Sequence, residues 1–260
     1  SSRRNTLYAT VSKGYKAGGF NTQMFSDVLQ QQVMKQMGFG SLYDVADVVT
    51  YKPEKSWNYE VGAHLSTPSH KVQADLALFY IDCRDQQLTV FPEGQVTGRL
   101  MTNAGRTRSF GGEASLLATL WRNLDLQVAY GYTRATFVKF DTGKADYAGN
   151  FIPYAPQHTL YAGASYTLRT GWNWLEYVIF RVAANGAGRI YWNEANTFSQ
   201  PFYALLEASI RFEHRHWAVD VWGRNLTDTR YDTFYFMSIG NSFLQRGRPR
   251  TFGVSLSITL

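Results

Sequence analysis

The sequence contains one cysteine, few prolines and no long apolar run. The single thiol, Cys83, excludes a disulfide framework within the chain and a zinc site built from cysteines, and we expect it to be buried and inert. Seven prolines and 22 glycines in 260 residues fit neither a collagen-like nor a low-complexity chain. No stretch approaches the ~18 apolar residues of a membrane-spanning helix, which excludes a helical membrane protein. Membrane strands need only ~10 residues each and show every second one to lipid, so a membrane protein built from strands stays open.

Charge is also modest, and it is dispersed. The 26 Lys and Arg against 20 Asp and Glu give a net charge of +6. The cations are spread along the chain apart from short groups at Arg106/Arg108 and Arg246/Arg248/Arg250, without a basic face or tail, so we do not expect nucleic acid as a partner. Aromatic residues are abundant instead, at 16% of the chain.

The strongest pattern is an alternation with period two. Between Thr251 and Leu260 every second residue is apolar, beginning with Phe252, and the residues between are Thr, Gly or Ser. Similar segments recur along the chain, and they are typical of strands with one apolar face. The pattern predicts ten antiparallel strands, at about 5–15, 56–67, 71–86, 102–120, 123–137, 157–169, 174–190, 201–213, 216–229 and 249–260.

The predicted connections alternate between short turns and long loops, so that the two ends of the sheet differ. The longest loop, 17–52, contains a segment with helical spacing at about 26–37. Ser26 suits an N-cap, and Gly38 follows the last apolar residue of the segment. We therefore expect one short helix within this loop.

In each strand, the residues that alternate with the apolar ones form a second row. Their chemistry indicates whether the apolar row packs in a soluble core or contacts lipid. A water-facing sheet would carry Lys, Glu and Thr, whereas this row is mostly Gly, Ser, Thr, Ala and Gln with isolated charges such as Glu60 and Arg211. Small residues with dispersed charges suit a wet lumen, and aromatic residues gather near strand ends, as in the girdle of a membrane barrel. The strands are also longer than the usual ~5 or 6 residues of soluble sheets. These features favour an all-β antiparallel transmembrane β-barrel over a soluble sandwich or propeller.

Six blocks of the chain resemble the carboxy-terminal half of TonB-dependent outer-membrane receptors, in that family's order. Segment 189–206, Arg-Ile-Tyr-Trp-Asn-Glu-Ala-Asn followed by Gln-Pro-Phe-Tyr-Ala-Leu-Leu, is most similar to the siderophore-receptor branch, of the pesticin/yersiniabactin-receptor type. The six blocks are Tyr8 to Asn21, Pro53 to Glu60, Phe79 to Gln86, Asn103 to Gly111, Gly223 to Tyr231 and Pro249 to Gly253.

The resemblance implies a 22-stranded barrel in the bacterial outer membrane, with an amino-terminal plug in its lumen. The sequence provides about ten strands and neither a plug nor a TonB-contacting segment, so we interpret residues 1–260 as the carboxy-terminal portion of such a barrel. The implied partners are the amino-terminal half of the receptor, the TonB system acting through the plug, a siderophore-like ligand, and outer-membrane lipid and lipopolysaccharide. Short turns would face the periplasm and long loops the exterior.

No catalytic constellation is present in the sequence. His214-Arg215-His216 would place two imidazoles on one face, but the segment has the pattern of a tight turn and no third ligand is suggested. Lys13 to Gly19 lacks the Gly-Lys-Ser/Thr of a phosphate loop. We therefore expect a protein that is not an enzyme and has no cofactor of its own, with iron entering only as part of a transported chelate.

A candidate binding surface lies at the long-loop end, where rings and guanidinium groups could stack on an anionic, aromatic chelate. For each residue an alternative is open, since rings near strand ends can face lipid and exposed Arg can pair with lipopolysaccharide phosphates. The candidate ligand-binding residues are Phe20, Phe91, Arg106, Arg108, Arg189, Tyr191, Trp192, Tyr235 and Phe236.

The resulting functional expectation is TonB-dependent uptake of a ferric siderophore or a similar large ligand. Two alternatives remain open at this point. One is a passive channel of ten strands closed on themselves, and the other is a soluble β-rich ligand-binding module. The cargo itself is not fixed by the sequence.

Overall fold

The computed structural model describes residues 5–22, 33, 35–38, 49–69, 71–90, 100–121, 123–142, 145–238 and 241–259. In these residues most of the regular structure is β-strand, and no helix among them is long and apolar enough to cross a membrane. The strands are β1 (Thr6–Lys16), β2 (Gly19–Phe20), β3 (Thr50–Tyr51), β4 (Glu54–Ser66), β5 (Val72–Val90), β6 (Leu100–Leu120), β7 (Leu124–Lys139), β8 (His158–Trp172), β9 (Leu175–Gly188), β10 (Ile190–Tyr191), β11 (Ser199–Gln200), β12 (Tyr203–His214), β13 (Trp217–Arg224), β14 (Asp232–Ser238), β15 (Asn241–Arg246) and β16 (Thr251–Ile258).

Ten of these strands form one antiparallel sheet, in the order β1-β4-β5-β6-β7-β8-β9-β12-β13-β16. Each strand pairs with the next long strand of the chain, so the sheet is a meander. The ten strands predicted from the alternation are confirmed. In the described residues β1 and β16 are the two edges and do not pair with each other, so these ten strands do not form the closed channel of the first alternative.

One predicted strand is too long. The strand expected at 216–229 ends at Arg224, because Asn225 begins a turn with φ of 50°. The side-chain Oδ1 of Asn225 accepts a hydrogen bond from the Thr229 amide at 2.9 Å, and its Nδ2 donates to the carbonyls of Thr229 and Arg248. The buried Asn225 side chain thus forms hydrogen bonds with the backbone of the turn, and strand β13 ends there.

Three small two-stranded sheets lie in connections that we expected to be irregular. They pair β2 with β3, β10 with β11, and β14 with β15. The largest, β14–β15, occupies segment 230–248, which the sequence analysis treated as a long loop. All six residues of β15 are exposed, so this strand has no buried row that would give an alternation.

Most of the helix expected at about 26–37 lies outside the described residues, as does Phe91. In the described part of that segment, the Met37 amide donates to the Val33 carbonyl at 3.0 Å, which is the spacing of one helical turn. The helix otherwise stays a prediction.

The sheet has two chemically different faces. The apolar face carries large hydrophobic side chains that are exposed along every strand, and Leu78 on β5 is 64% exposed. The polar face carries small residues and the charges noted in the sequence. Cross-strand register places the members of each row side by side. Apolar-face residues include Leu7, Val61, Leu78, Phe110, Val128, Tyr166, Phe180, Ile210, Val221 and Val254; polar-face residues include Tyr8, Glu60, Asp75, Glu113, Gln127, Ser165, Arg181, Ser209, Asp220 and Ser255.

The connections also differ between the two ends, as expected. Hairpins β4–β5, β6–β7, β8–β9 and β12–β13 close through turns of two to five residues, which form the turn end of the sheet. The longer connections form the loop end. At the turn end Trp172 and Trp174 stack with ring centroids 5.3 Å apart, and Trp121 is also exposed. Exposed indole rings at a strand end match the predicted aromatic girdle.

The buried core of the described residues lies at the loop end. Ala135 and Phe137 continue the polar-face row of β7, and residues of the connection that follows β7 pack against them. Phe137 is almost completely buried and packs on Phe140, with ring centroids 4.9 Å apart. The cluster comprises Leu88, Ala104, Ala135, Phe137, Phe140 and Ile152. The Phe137 amide also donates to the Asn150 carbonyl at 2.9 Å, and the Ile152 amide donates to the Ala135 carbonyl at 3.0 Å, so the loop after β7 is fixed alongside the end of that strand.

Candidate ligand-binding site at the loop end

The polar face of β1, β4, β5 and β6 carries a connected set of acids and donors. The Tyr8 hydroxyl donates to Glu60 Oε1 at 2.8 Å. His64 Nδ1 lies 2.6 Å from Asp75 Oδ1, and the Ser115 hydroxyl donates to Asp75 Oδ2 at 3.0 Å. These side chains border an open cavity of about 520 Å³. This part of the wall offers an open, acid-lined surface.

A second polar network lies on β12, β13 and β16. Arg211 forms ion pairs with Glu213 and Asp220, each at 2.7 Å. The Trp222 indole N–H donates to the Ser255 hydroxyl at 3.2 Å. Arg211 and Asp220, two charges of the polar row, thus pair with each other.

At the loop end, three connections meet through aromatic rings. Tyr154, which follows β7, stacks on Phe234 of β14 with centroids 5.6 Å apart and contacts Trp192 at 5.4 Å. Its hydroxyl donates to the carbonyl of Tyr235 at 2.9 Å. Tyr235 in turn stacks on Phe198 at 4.6 Å. Rings from segments 140–157, 189–202 and 225–250 thus form one layer, here called the ring layer.

Backbone hydrogen bonds join the first two of these segments. The Tyr154 amide donates to the Tyr191 carbonyl at 2.8 Å, and the Gln157 amide donates to the Arg189 carbonyl at 3.0 Å. Phe151 stacks on Tyr191 with centroids 5.2 Å apart. Since these bonds span distant parts of the chain, the two segments behave as one unit.

A glutamate, Glu194, lies close to Tyr154 of the ring layer. Glu194 is partly buried, and desolvation raises the pKa of its carboxyl above the ordinary range. Desolvation, with a smaller contribution from the charge of Glu194, also raises the pKa of Tyr154 to about 12. Tyr154 therefore stays a neutral hydrogen-bond donor at physiological pH, and the surroundings of Glu194 favour its protonated form.

The structure divides the predicted ligand-binding residues into exposed and buried groups. Phe20 is 66% exposed at the loop end, and Arg189 is also exposed. Trp192 and Tyr235 are only 7% and 6% exposed. Both are held within the ring layer, so they position neighbouring rings rather than presenting a surface of their own.

Tyr191 and Phe236 are intermediate in exposure. Tyr191 stacks on Phe151, while Phe236 stacks on Phe243 with centroids 4.9 Å apart. Each presents one ring surface to a neighbour, and the ring layer brings both near the buried Trp192 and Tyr235.

Arg106 and Arg108 lie apart from the ring layer. They continue the row of Phe110 on the apolar face of β6. Arg106 is ion-paired through Nε with Asp82 Oδ1 at 2.7 Å. The two arginines therefore face away from the polar face, which favours the alternative role raised for exposed arginines, contact with lipid phosphates.

Sequence reasoning missed four rings of the layer: Phe151, Tyr154, Phe198 and Phe234. Phe198 is 41% exposed and so adds a ring surface that a ligand could reach. These rings lie in the connections that follow β7, β9 and β13, for which no periodicity was predicted, and the number of rings in these three segments was their one shared signal. Their partners are far apart in sequence, so pattern analysis alone could not bring them together.

In the part of the chain that the structure describes, no group of three or more His, Cys, Asp or Glu could hold a metal ion. His214 ends β12 and His216 lies in the tight turn after it, with ring centroids 5.7 Å apart. This agrees with a turn rather than a ligand pair. Cys83 is buried, as expected.

A long antiparallel meander with an exposed apolar face, a polar face, short turns at one end and packed loops at the other defines the wall of a transmembrane β-barrel. The family described as "TonB dependent receptor-like, beta-barrel" matches residues 4–226. The chain belongs to this family, and it is part of a β-barrel protein of the bacterial outer membrane. Members of this family are receptors and transporters rather than enzymes.

Curated relatives and solved structures agree with this assignment. The pesticin receptor of Yersinia pestis is 27% identical over 258 residues, covering 97% of this chain and 33% of the relative. The ferric yersiniabactin uptake receptor FyuA of Yersinia pestis superposes with a TM-score of 0.75 at 23% identity, covering 98% of this chain and 35% of that structure. BauA, the ferric preacinetobactin receptor of Acinetobacter baumannii, gives a TM-score of 0.66 at 18% identity, with coverages of 97% and 34%. The chain thus spans about a third of the length of these relatives.

Proposed function

We propose that this chain forms part of the barrel wall and the extracellular binding surface of a receptor for TonB-dependent uptake of a ferric siderophore or a similar large chelate. The observation that carries the proposal is the ring layer: three loop segments packed through Tyr154 and Tyr235 at the loop end of a sheet whose polar face carries acids. Relatives named as receptors for ferric yersiniabactin and ferric preacinetobactin support this cargo class.

The exposed members of the site have the chemistry that such a cargo requires. Phe20 and Phe198 offer open ring surfaces, and Arg189 offers an exposed guanidinium on the segment that carries the ring layer. Aromatic stacking and guanidinium pairing together suit an anionic, aromatic chelate. The buried rings Trp192 and Tyr235 would keep this surface in shape.

No resident cofactor is part of the proposal, and iron is cargo. Energy would come from the TonB system, acting through a plug contributed by the amino-terminal half of the receptor. That half would also pair with the two edge strands, β1 and β16. The acid-lined polar face would then contact the plug or water.

The test is iron uptake by cells whose only such receptor is the intact protein, supplied with radiolabelled iron as ferric yersiniabactin or ferric preacinetobactin. Arg189→Gln should raise the half-saturating chelate concentration by about tenfold, since a guanidinium–anion contact contributes ~1.5–3 kcal/mol. Arg169→Gln at the turn end, which has the same charge change, should leave uptake unchanged. Uptake that persists without TonB would contradict the energised mechanism, and equal uptake by both variants would remove Arg189 from the site.

A further inference from the structure

The β14–β15 hairpin is anchored to the ring layer through one of its two strands. Phe234 of β14 stacks on Tyr154 with ring centroids 5.6 Å apart, and Tyr235, the next residue, stacks on Phe198 at 4.6 Å. In the part of the chain that the structure describes, β15 pairs with β14 alone. The hairpin therefore has one strand held by the loops and a second strand whose outer edge is not paired with any described strand.

The residues of β15 suit a strand that accepts a further strand. All six, Asn241–Arg246, are exposed, and Phe243 and Leu244 are each 47% exposed. Because neighbouring residues of a strand point to opposite faces, each face of β15 carries one of these apolar side chains. Residues 242–245 include neither a charge nor a proline, which are two of the devices that keep edge strands from pairing. The outer edge of β15 thus remains open to a partner.

Two exposed guanidinium groups follow the apolar pair along the chain. Arg246 ends β15, and Arg248 lies two residues further on. Neither forms an ion pair within the described residues, although Asp232 lies opposite Arg246 in the register of the hairpin. A carboxylate of a partner would therefore meet two cations that no described ion pair engages.

The backbone between the two arginines is held in place. The Gly247 amide donates to the Tyr231 carbonyl at 2.8 Å, and a side chain at Gly247 would overlap the Tyr231 ring. Tyr231 in turn stacks on Tyr203 of β12 with centroids 4.5 Å apart. The Asn225 side chain donates to the Arg248 carbonyl at 3.1 Å. Both guanidinium groups therefore extend from fixed backbone positions at the end of β15.

We propose that β15 is a docking edge for an acidic, extended peptide segment of a partner protein, which adds to the hairpin as a third strand. In this mode of binding, backbone hydrogen bonds to the edge give affinity and side chains give specificity. An apolar residue of the peptide would pack on Phe243 or Leu244, and a carboxylate two or three residues along would pair with Arg246 or Arg248. Docking at this edge requires neither cargo nor any step of the proposed uptake.

The experiment measures hydrogen exchange by mass spectrometry on the intact receptor, with and without a synthetic peptide. The probe is a peptide of about eight residues, alternating valine and threonine and ending in two glutamates; a second probe ends in two lysines instead. At ten times its dissociation constant, the acidic peptide should slow exchange of the outer-edge amides of segment 241–246 by about tenfold. The lysine peptide should bind at least about fivefold more weakly.

The variant R246Q/R248Q removes both charges and keeps the backbone of β15. Because two exposed ion pairs are lost, its affinity for the acidic peptide should fall by about fivefold. The matched control R169Q/R215Q removes two exposed arginines at the turn end and should bind the peptide as the parent does. Heat-modifiable gel mobility verifies that each variant is folded, and the comparison of the two peptides needs only the parent.

Five outcomes would overturn the proposal. Three concern the peptide: unchanged exchange in segment 241–246, equal affinity of the parent for the acidic and lysine peptides, or equal affinity of the parent and R246Q/R248Q for the acidic peptide. Displacement of the peptide by ferric yersiniabactin would assign this surface to the cargo site. Protection of segment 241–246 that rises with receptor concentration, without peptide, would assign the edge to a second copy of the protein.

Discussion

The side chain of Asn196 forms both hydrogen bonds that a neighbouring strand would make with Phe151. Its Oδ1 accepts from the Phe151 amide at 2.7 Å, and its Nδ2 donates to the Phe151 carbonyl at 2.9 Å. The two residues are 45 positions apart and lie in different loops. One side chain thus replaces a piece of sheet, and it adds to the backbone hydrogen bonds that join the two loops at Tyr154 and Gln157.

Asn196→Gly should therefore loosen these loops without unfolding the barrel. Glycine is chosen because Asn196 has φ of 55°, where a side chain such as alanine would add strain. Losing two hydrogen bonds at ~1 kcal/mol each should raise amide exchange in segment 150–157 by at least about tenfold. Hydrogen exchange with mass spectrometry on the intact receptor measures this. Asn173→Gly in the β8–β9 turn is the control, and unchanged exchange in N196G would contradict the assigned role.

The ring layer should loosen as pH rises. Burial raises the pKa of Glu194 in the folded protein, so the folded loops favour its neutral form. The stability gained from this neutral form is complete below the pKa of an unfolded glutamate, ~4.3, and is lost as pH rises through the raised pKa. Exchange in segment 190–198, corrected for its intrinsic pH dependence, should therefore increase over that window.

Glu194→Gln is the matched control for the pH effect. Because glutamine does not titrate, the corrected exchange of the same segment should be flat across the window. An identical pH profile in the parent and in E194Q would assign the effect to another group.

A new charge should destabilise the protein far more at one of two neighbouring residues of β5 than at the other. Leu78→Arg places a cation on the apolar face, where an arginine near the centre of the lipid layer costs ~2–4 kcal/mol. Ala77→Arg places the same charge on the polar face, in the cavity that Glu60 and Asp75 border, so its cost should be much smaller. Urea unfolding of the intact receptor in lipid measures both. Equal destabilisation by the two variants would mean that the two faces of the sheet contact the same kind of environment.

The isolated chain should aggregate when it is refolded into detergent. In the described residues, β1 pairs only with β4 and β16 pairs only with β13, so both edges of the sheet present unpaired backbone groups. A compact, heat-modifiable, β-rich form should appear only when the amino-terminal half of the receptor is added. Gel mobility with far-UV circular dichroism tests this, and a compact form of the chain alone would show that the ten strands can close.

The ten-stranded sheet could be predicted because one face of each strand contacts lipid and the other contacts a polar environment. Apolar and polar residues therefore alternate along the strand, and this alternation is visible in the sequence. The hairpin β14–β15 could not, since β15 is exposed on both sides. The site was only partly predictable for a related reason. The sequence indicated that rings gather at the loop end, but the burial of Trp192 and Tyr235 depends on partners in other loops.

The contrast between turn end and loop end also bears on how the protein can change over evolution. Four hairpins have their register set by short turns at one end, and the apolar row fixes how neighbouring hairpins align. Lengthening a connection at the other end adds little closure entropy and does not shift this alignment. If the loop end binds cargo as proposed, whole loops can be exchanged there and a new cargo acquired while the strands of the wall stay the same.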